Sequence, residues 1–196
     1  MDCIPDKKKL LREEILLLRN TLSPLERQNK SYCIQTFLFR IPDIIEAQNI
    51  FIYVSFKSEV QTHKIIKSLL LEGKNIIVPT TDMLNSKLLL SSISDFDVDL
   101  EPGVMGILEP GKEKIKTVAH DSIDIVIAPG VVFCKEGWRI GYGGGFYDRF
   151  FKETLKRSYA LAFELQIVSD LPYDPKYDVP VDYIVTEDRL IDCNEK

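Results

Sequence analysis

A chain of 196 residues with 45% hydrophobic content can bury one good core, so one domain over 1–196 is expected, with 1–40 as a helical hairpin packed on it. The formal charge of −5 lacks the basic excess by which duplex-binding proteins displace counterions, and no run reaches the length of a membrane span, so neither nucleic acid nor membrane is an expected partner. Cys3, Cys33, Cys134 and Cys193 lie far apart with only His63 and His120 as imidazole partners, a pattern that fits neither zinc nor a disulfide framework but idle thiols in a cytoplasmic monomer or weak homodimer.

The first element is an amphipathic helix from about Asp6 to Leu22, with Leu11, Ile15, Leu18 and Leu22 on one face and Lys8, Arg12 and Arg19 on another. SPLE, Ser23 to Glu26, is a capping-box pattern with Pro at the first helical position, opening a second helix that runs toward Phe39. NIFIYVSF (49–56), THKIIKSLLLEG and KNIIVPTT then read as a β-α-β unit closed at its helix by Gly73. SKLLLSSI continues as a strand, and DFDVDLEPGVMGILEPGKEK as a loop rich in turn residues. SIDIVIAPGVVF (122–133) is a continuous apolar run suited to a strand covered on both faces. YDRFFKETLKRS is a helix, and YALAFELQIV and VDYIVTEDRLI are the last strands. Alternation of strands and helices predicts an α/β fold: an open, mostly parallel twisted sheet with flanking helices, Rossmann-like, preceded by the helical hairpin.

Between the buried strand and the helix stands GWRIGYGGGFYDRF (137–150). Without Cβ atoms, Gly141, Gly143, Gly144 and Gly145 can turn consecutive backbone N–H groups toward an anion, and a helix starting near Phe146 adds its N-terminal dipole. A flexible connector is the plainer reading of a bare glycine run. Arg139 and Arg149, which bracket the loop, and Asp148, a hard carboxylate suited to Mg²⁺, favour a phosphate cradle. Neither standard nucleotide motif fits. GYGGGF lacks the third glycine of the dinucleotide fingerprint, and GILEPGKE (106–113) places Glu113 where a P-loop needs Ser or Thr.

PGVVFCKEGWRIGYGGGFYDRF resembles the signature of the 5-formyltetrahydrofolate cyclo-ligase family, also called methenyltetrahydrofolate synthetases. KKLLREEILLLRNTLSPLER, YVSFKSEVQT, GVMGILEP, AFELQIVSDLP and YDVPVDYIVTE resemble further family patterns in the same order, across nearly the whole chain. The resemblance implies a fold akin to sugar-phosphate isomerases and CoA-transferase relatives. It also implies a reaction: 5-formyltetrahydrofolate and ATP give 5,10-methenyltetrahydrofolate, ADP and phosphate, with Mg²⁺ as cofactor. The formyl oxygen attacks the γ-phosphate to give a phosphorylated imidate, N10 attacks the activated carbon, and phosphate leaves, so the protein's task is alignment and charge stabilisation.

The same resemblance assigns roles. ATP is to be held by Lys8, Lys9, Leu10, Leu11 and Arg12 on the first helix and by Arg139, Ile140, Gly141, Tyr142, Gly143, Gly144, Gly145, Phe146 and Tyr147. Lys8, Arg139 and Arg149 are to supply the catalytic positive charge. Val54, Glu59 and Met105, with Tyr142 to Phe146, are to contact the folate, and Asp148 and Asp178 are to hold Mg²⁺. Two other readings of this architecture stay open: a phosphosugar isomerase-like enzyme, which would act without ATP, and a non-catalytic nucleotide-binding protein, which would bind ATP without folate dependence.

Overall fold

The computed structural model describes residues 3–103 and 106–195. In chain order its elements are α1 (Ile4–Thr21), α2 (Pro24–Leu38), α3 (Pro42–Glu46), β1 (Asn49–Ile52), α4 (His63–Leu71), β2 (Asn75–Asp82), β3 (Lys87–Ile93), α5 (Phe96–Asp99), β4 (Leu100–Pro102), β5 (Leu108–Pro110), β6 (Ile125–Ala128), β7 (Val132–Cys134), β8 (Arg139–Ile140), α6 (Phe146–Glu153), β9 (Arg157–Leu161), β10 (Ile167–Val168), β11 (Tyr183–Val185) and β12 (Leu190–Asp192).

The seven-stranded sheet has the order β12-β11-β9-β6-β1-β2-β3. Its five inner strands are parallel, and β3 and β12 close the edges antiparallel. Register follows from β-branched and aromatic runs: Ile50 and Phe51 lie beside Ile76 and Ile77 on one side and Ile125 and Val126 on the other. Alternate residues face opposite layers. Ile50, Ile52, Ile76 and Ile127 pack with residues of α2, α3 and α4, while Phe51, Ile77 and Val126 pack against Phe150 and Phe151 of α6. The result is a mixed α/β fold, a mostly parallel sheet with helices on both faces.

The capping box forms as its spacing dictates: Ser23 Oγ accepts from the Glu26 N–H at 3.2 Å and Glu26 Oε2 from the Ser23 N–H at 2.9 Å. The two N-terminal helices nevertheless pack on different surfaces. α1 lies on β7 and the 3-10 turn at Glu164–Gln166, whereas α2 lies on β11. The apolar run 122–133 is not one strand. Pro129 and Gly130 break it, so β6 stays in the main sheet and β7 enters a second sheet of order β10-β7-β8. The strand expected from YALAFELQIV likewise ends at Leu161, and its tail becomes β10. The segment expected as a plain loop holds α5 and the β4–β5 hairpin.

The chain leaves β1 outward to β2 and β3, and leaves β6 outward to β9 and β11. Connection direction thus reverses between β1 and β6, and a crevice opens beyond their carboxyl ends, where open α/β sheets bind ligands.

Candidate functional site

A cavity of about 450 Å³ fills that crevice. Tyr53, Val54 and Glu59 enter it from the segment after β1, Pro129 and Gly130 from the break after β6, and Tyr142 to Asp148 border it in part.

The segment after β1 is held in one shape by its own polar side chains. Thr62 Oγ1 accepts from the Ser55 N–H at 2.9 Å, Ser55 Oγ accepts from the Thr62 N–H at 3.0 Å, and Thr62 Oγ1 donates to the Tyr53 carbonyl at 2.8 Å. Lys57 turns the chain with φ of +52°, and the Phe56 N–H donates to Glu59 Oε2 at 2.8 Å. Val54 and Glu59 are thereby 4% and 6% exposed in the cavity wall. Burial pushes the Glu59 carboxyl above the ordinary carboxylate range, opposed by the Phe56 N–H, the Arg19 charge and the Tyr142 hydroxyl. Carboxylate oxygens accept only, so this end of the cavity suits a donor-rich edge.

The glycine loop borders the same cavity. Gly143 and Gly145 have φ of +103° and +65°, in the left-handed region, and Gly145 caps α6. Among the described residues, no backbone carbonyl accepts from an N–H between Gly141 and Gly145. The loop is instead braced through its carbonyls. Arg12 Nε donates to Gly141 O and Arg149 NH2 to Gly144 O, both at 2.7 Å, while Arg149 Nε donates to Ser86 O at 2.7 Å. N–H groups free of internal acceptors, a helix N-terminus and nearby cations are the features that suit a loop to an anion.

Lys8, Arg12, Arg139, Asp148 and Asp178 gather beside this loop. Asp148 Oδ1 pairs with Arg139 NH2 at 3.1 Å and accepts the Val179 N–H at 3.3 Å. Asp178 Oδ2 pairs with Lys8 Nζ and accepts the Asp174 N–H at 2.7 Å. The Arg139 side chain is 2% exposed and rests over the Phe151 ring. Among the described residues each acid has one oxygen free of hydrogen bonds, and no group of three or more acids, His or Cys forms a metal cage. Two hard carboxylates with spare oxygens fit a cation that takes most of its remaining ligands from phosphate and water, as Mg²⁺ does.

The remaining expected contacts divide. Lys9 and Leu10 face solvent and are not brought to the cavity. Leu11 and Ile140 put their side chains into the core under α1, leaving only backbone for a ligand. Phe146 and Tyr147 line the cavity, and the buried Tyr147 hydroxyl has no partner among the described residues. Met105 lies outside the described residues. On α1 the expected leucine face holds in part: Leu11, Ile15 and Leu22 pack inward, Leu18 is 46% exposed, and Lys8, Arg12 and Arg19 also turn inward. Charge is tolerated on that face because Asp178, the Gly141 carbonyl, Ser58, the Gly130 carbonyl and the Tyr142 hydroxyl meet the basic groups.

Two buried charged residues at or behind the cavity, Glu109 and Arg19, were passed over by motif reasoning. Arg19 is 1% exposed and reaches the cavity wall, and Glu109 is 6% exposed and lines it. Glu109 sits inside GVMGILEP, whose Gly-Ile-x-Glu-Pro core held the only signal for it.

Comparison with known proteins gives one consistent result. The model of the 5-formyltetrahydrofolate cyclo-ligase family matches residues 4–187. The chain is 30% identical to a 5-formyltetrahydrofolate cyclo-ligase of Haemophilus influenzae, covering 89% of this chain and 95% of the relative. It is 28% identical to that of Mus musculus, covering 92% and 94%. The solved structure of 5,10-methenyltetrahydrofolate synthetase from Aquifex aeolicus superposes with a TM-score of 0.85 at 30% identity, covering 96% of this chain and 94% of that one. The synthetase structure from Mycoplasma pneumoniae, at 22% identity and covering 92% and 98%, shares the fold with a TM-score of 0.73.

Proposed function

The chain belongs to the 5-formyltetrahydrofolate cyclo-ligase family, whose reaction uses ATP as co-substrate, and we propose that the cavity between β1, β6 and the glycine loop is where the ring of 5-formyltetrahydrofolate is closed. The observation that carries the proposal is the pairing found in that one cavity: a buried acceptor, Glu59, in its wall and a bordering loop whose N–H groups have no acceptor among the described residues, beside cations.

The pterin is placed against Val54, Glu59 and Phe146, with the aminopyrimidine N–H donors on the Glu59 carboxylate. The triphosphate lies along Gly141 to Gly145, with Lys8, Arg12 and Arg139 around it. Arg149 acts first as a clamp, since two of its nitrogens already bind carbonyls, and its remaining donors face the loop. Asp148 and Asp178 would hold Mg²⁺, which when bound offsets charge on the phosphate oxygens. In the free protein these acids are paired with Arg139 and Lys8. Binding of ATP exchanges those ion pairs, phosphate going to the cations, so the site needs no new charge to assemble. The protein then holds the formyl oxygen in line with the γ-phosphorus and N10 near the formyl carbon, and both bond-forming steps become intramolecular in effect.

The test follows methenyl absorbance with purified protein, 5-formyltetrahydrofolate, ATP and Mg²⁺. Product is expected only when all three are present, with one ADP released per methenyl group. Turnover of a phosphosugar without ATP, or ATP binding unaffected by the folate and without product, would overturn the proposal.

A further inference from the structure

α1 sends three basic side chains toward residues that stand at or beside the cavity. Lys8 and Arg12 meet Asp178 and Gly141 near its start, and Arg19 stands about three turns beyond Lys8, roughly 16 Å along the axis, among Ser58, Gly130 and Tyr142. A guanidinium only 1% exposed is costly unless its donors are met. Nε donates to Ser58 Oγ at 3.1 Å, NH1 to Gly130 O at 3.3 Å and NH2 to Tyr142 OH at 2.6 Å. None of these acceptors is charged. The acid that feels the guanidinium is Glu59, the residue after Ser58. Tyr142 is 51% exposed, so its ring forms part of the cavity rim while its hydroxyl points inward.

We propose that Arg19 is a positioning residue for the folate: it pins the Tyr142 hydroxyl at the pterin end of the cavity and supplies the positive charge facing Glu59. The inference rests on the reading of Glu59 as acceptor for the pterin. Arg19 stands behind both residues and touches neither substrate. Its effect has a definite sign. A protonated Glu59 loses an acceptor oxygen and presents a donor to donors, so folate binding needs the carboxylate. Burial favours the protonated form, and Arg19 opposes burial. The other groups facing Glu59 are Tyr142, Tyr53 and Tyr147, all held above the ordinary phenol range by burial and therefore neutral. Arg19 is the one cation among the described residues that favours the carboxylate form.

The experiment is the pH profile of kcat/KM for 5-formyltetrahydrofolate at saturating ATP and Mg²⁺, with KM for each substrate and the Tm, in Arg19→Met, Arg19→Lys and Tyr142→Phe. In Arg19→Met the acid limb is expected to move to higher pH by about one unit, because a charge that favoured the carboxylate is gone. KM for the folate should rise about tenfold while KM for ATP stays within about twofold. Arg19→Lys should return the limb toward its wild-type position with KM still raised, since Lys restores charge but not the fork that holds three partners. Tyr142→Phe should raise KM for the folate with a smaller displacement of the limb. An unmoved limb in an active Arg19→Met protein, or equal rises in both KM values, would overturn the proposal. If Arg19→Met does not fold, Arg19→Lys and Tyr142→Phe decide it: wild-type KM for the folate in both overturns it. Failure of the underlying reading looks different: Glu59→Gln with wild-type folate KM and an unmoved limb would remove Glu59 from the pterin site whatever Arg19 does.

Discussion

Asp148 has one observed duty and one proposed above, and one substitution can separate them. Its Oδ1 is the counter-charge of a buried Arg139 and the acceptor of the Val179 N–H, while its other oxygen remains for a cation. Asp148→Asn keeps volume and an oxygen but leaves Arg139 buried without its ion-pair partner. Turnover is expected to fall on the order of 10²-fold, partly recovered by raised Mg²⁺, with a loss of about 1–3 kcal/mol in urea unfolding. Wild-type Mg²⁺ demand combined with the stability loss would reduce Asp148 to a support for Arg139. Lys8 pairs with the other acid, at side-chain exposures of 18% and 11%. Lys8→Ala is expected to raise KM for ATP roughly tenfold and KM for the folate little, because a phosphate contact remote from the formyl group is mostly uniform binding. Equal rises in the two would argue that the pair serves only to dock α1.

Within the glycine loop, neighbouring positions have different reasons to be bare. Gly143 has φ of +103°, whereas Gly144 has no positive φ, and a Cβ placed on it would meet the Phe146 ring at 2.7 Å. Gly143→Ala should therefore strain the backbone by about 1 kcal/mol and weaken ATP, and Gly144→Ala should displace the Phe146 ring and weaken the folate. Calorimetry with a non-hydrolysable ATP analogue and with 5-formyltetrahydrofolate separates the two; identical effects on both ligands would show that the loop responds as one body. The loop's place was legible, because an apolar run over 122–133 and a helix start bracket it in the sequence. Its internal division was not, since a glycine's φ and what a Cβ would strike depend on how the chain returns. The same limit applies to α1. Leu11, Ile15 and Leu22 turn inward as their spacing predicts, but Lys8, Arg12 and Arg19 turn inward beside them because distant segments bring acceptors there. Glu59 stood out through the family pattern alone, and Arg19 through nothing local, as its partners Ser58, Gly130 and Tyr142 come from three distant segments.

At the scale of the molecule, alternating strands and helices were enough to place a site at the carboxyl ends of a parallel sheet, but not to find which strands flank it. That follows from the order β9-β6-β1-β2, which puts the reversal of winding between β6 and β1. The consequence is a site assembled from separate parts: α1 from the start of the chain, the Tyr53–Thr62 segment, the glycine loop, and the late loop bearing Asp178. Each substrate should tighten a different subset. Hydrogen exchange with the ATP analogue and Mg²⁺ is expected to slow amides of Gly141 to Gly145 and of the Asp174–Asp178 turn, because the first gain acceptors and the second is tied to Lys8. The folate alone should slow the segment from Ser55 to Glu59. α1 touches both ends, through Lys8 and Arg12 at one and Arg19 at the other. Its amides should therefore respond to either ligand and most to both together, since a helix already ordered by one needs less ordering for the second. Protection of α1 by ATP analogue alone, unchanged when the folate is added, would mean that the two ends of the cavity act independently and that the helix links them in space only.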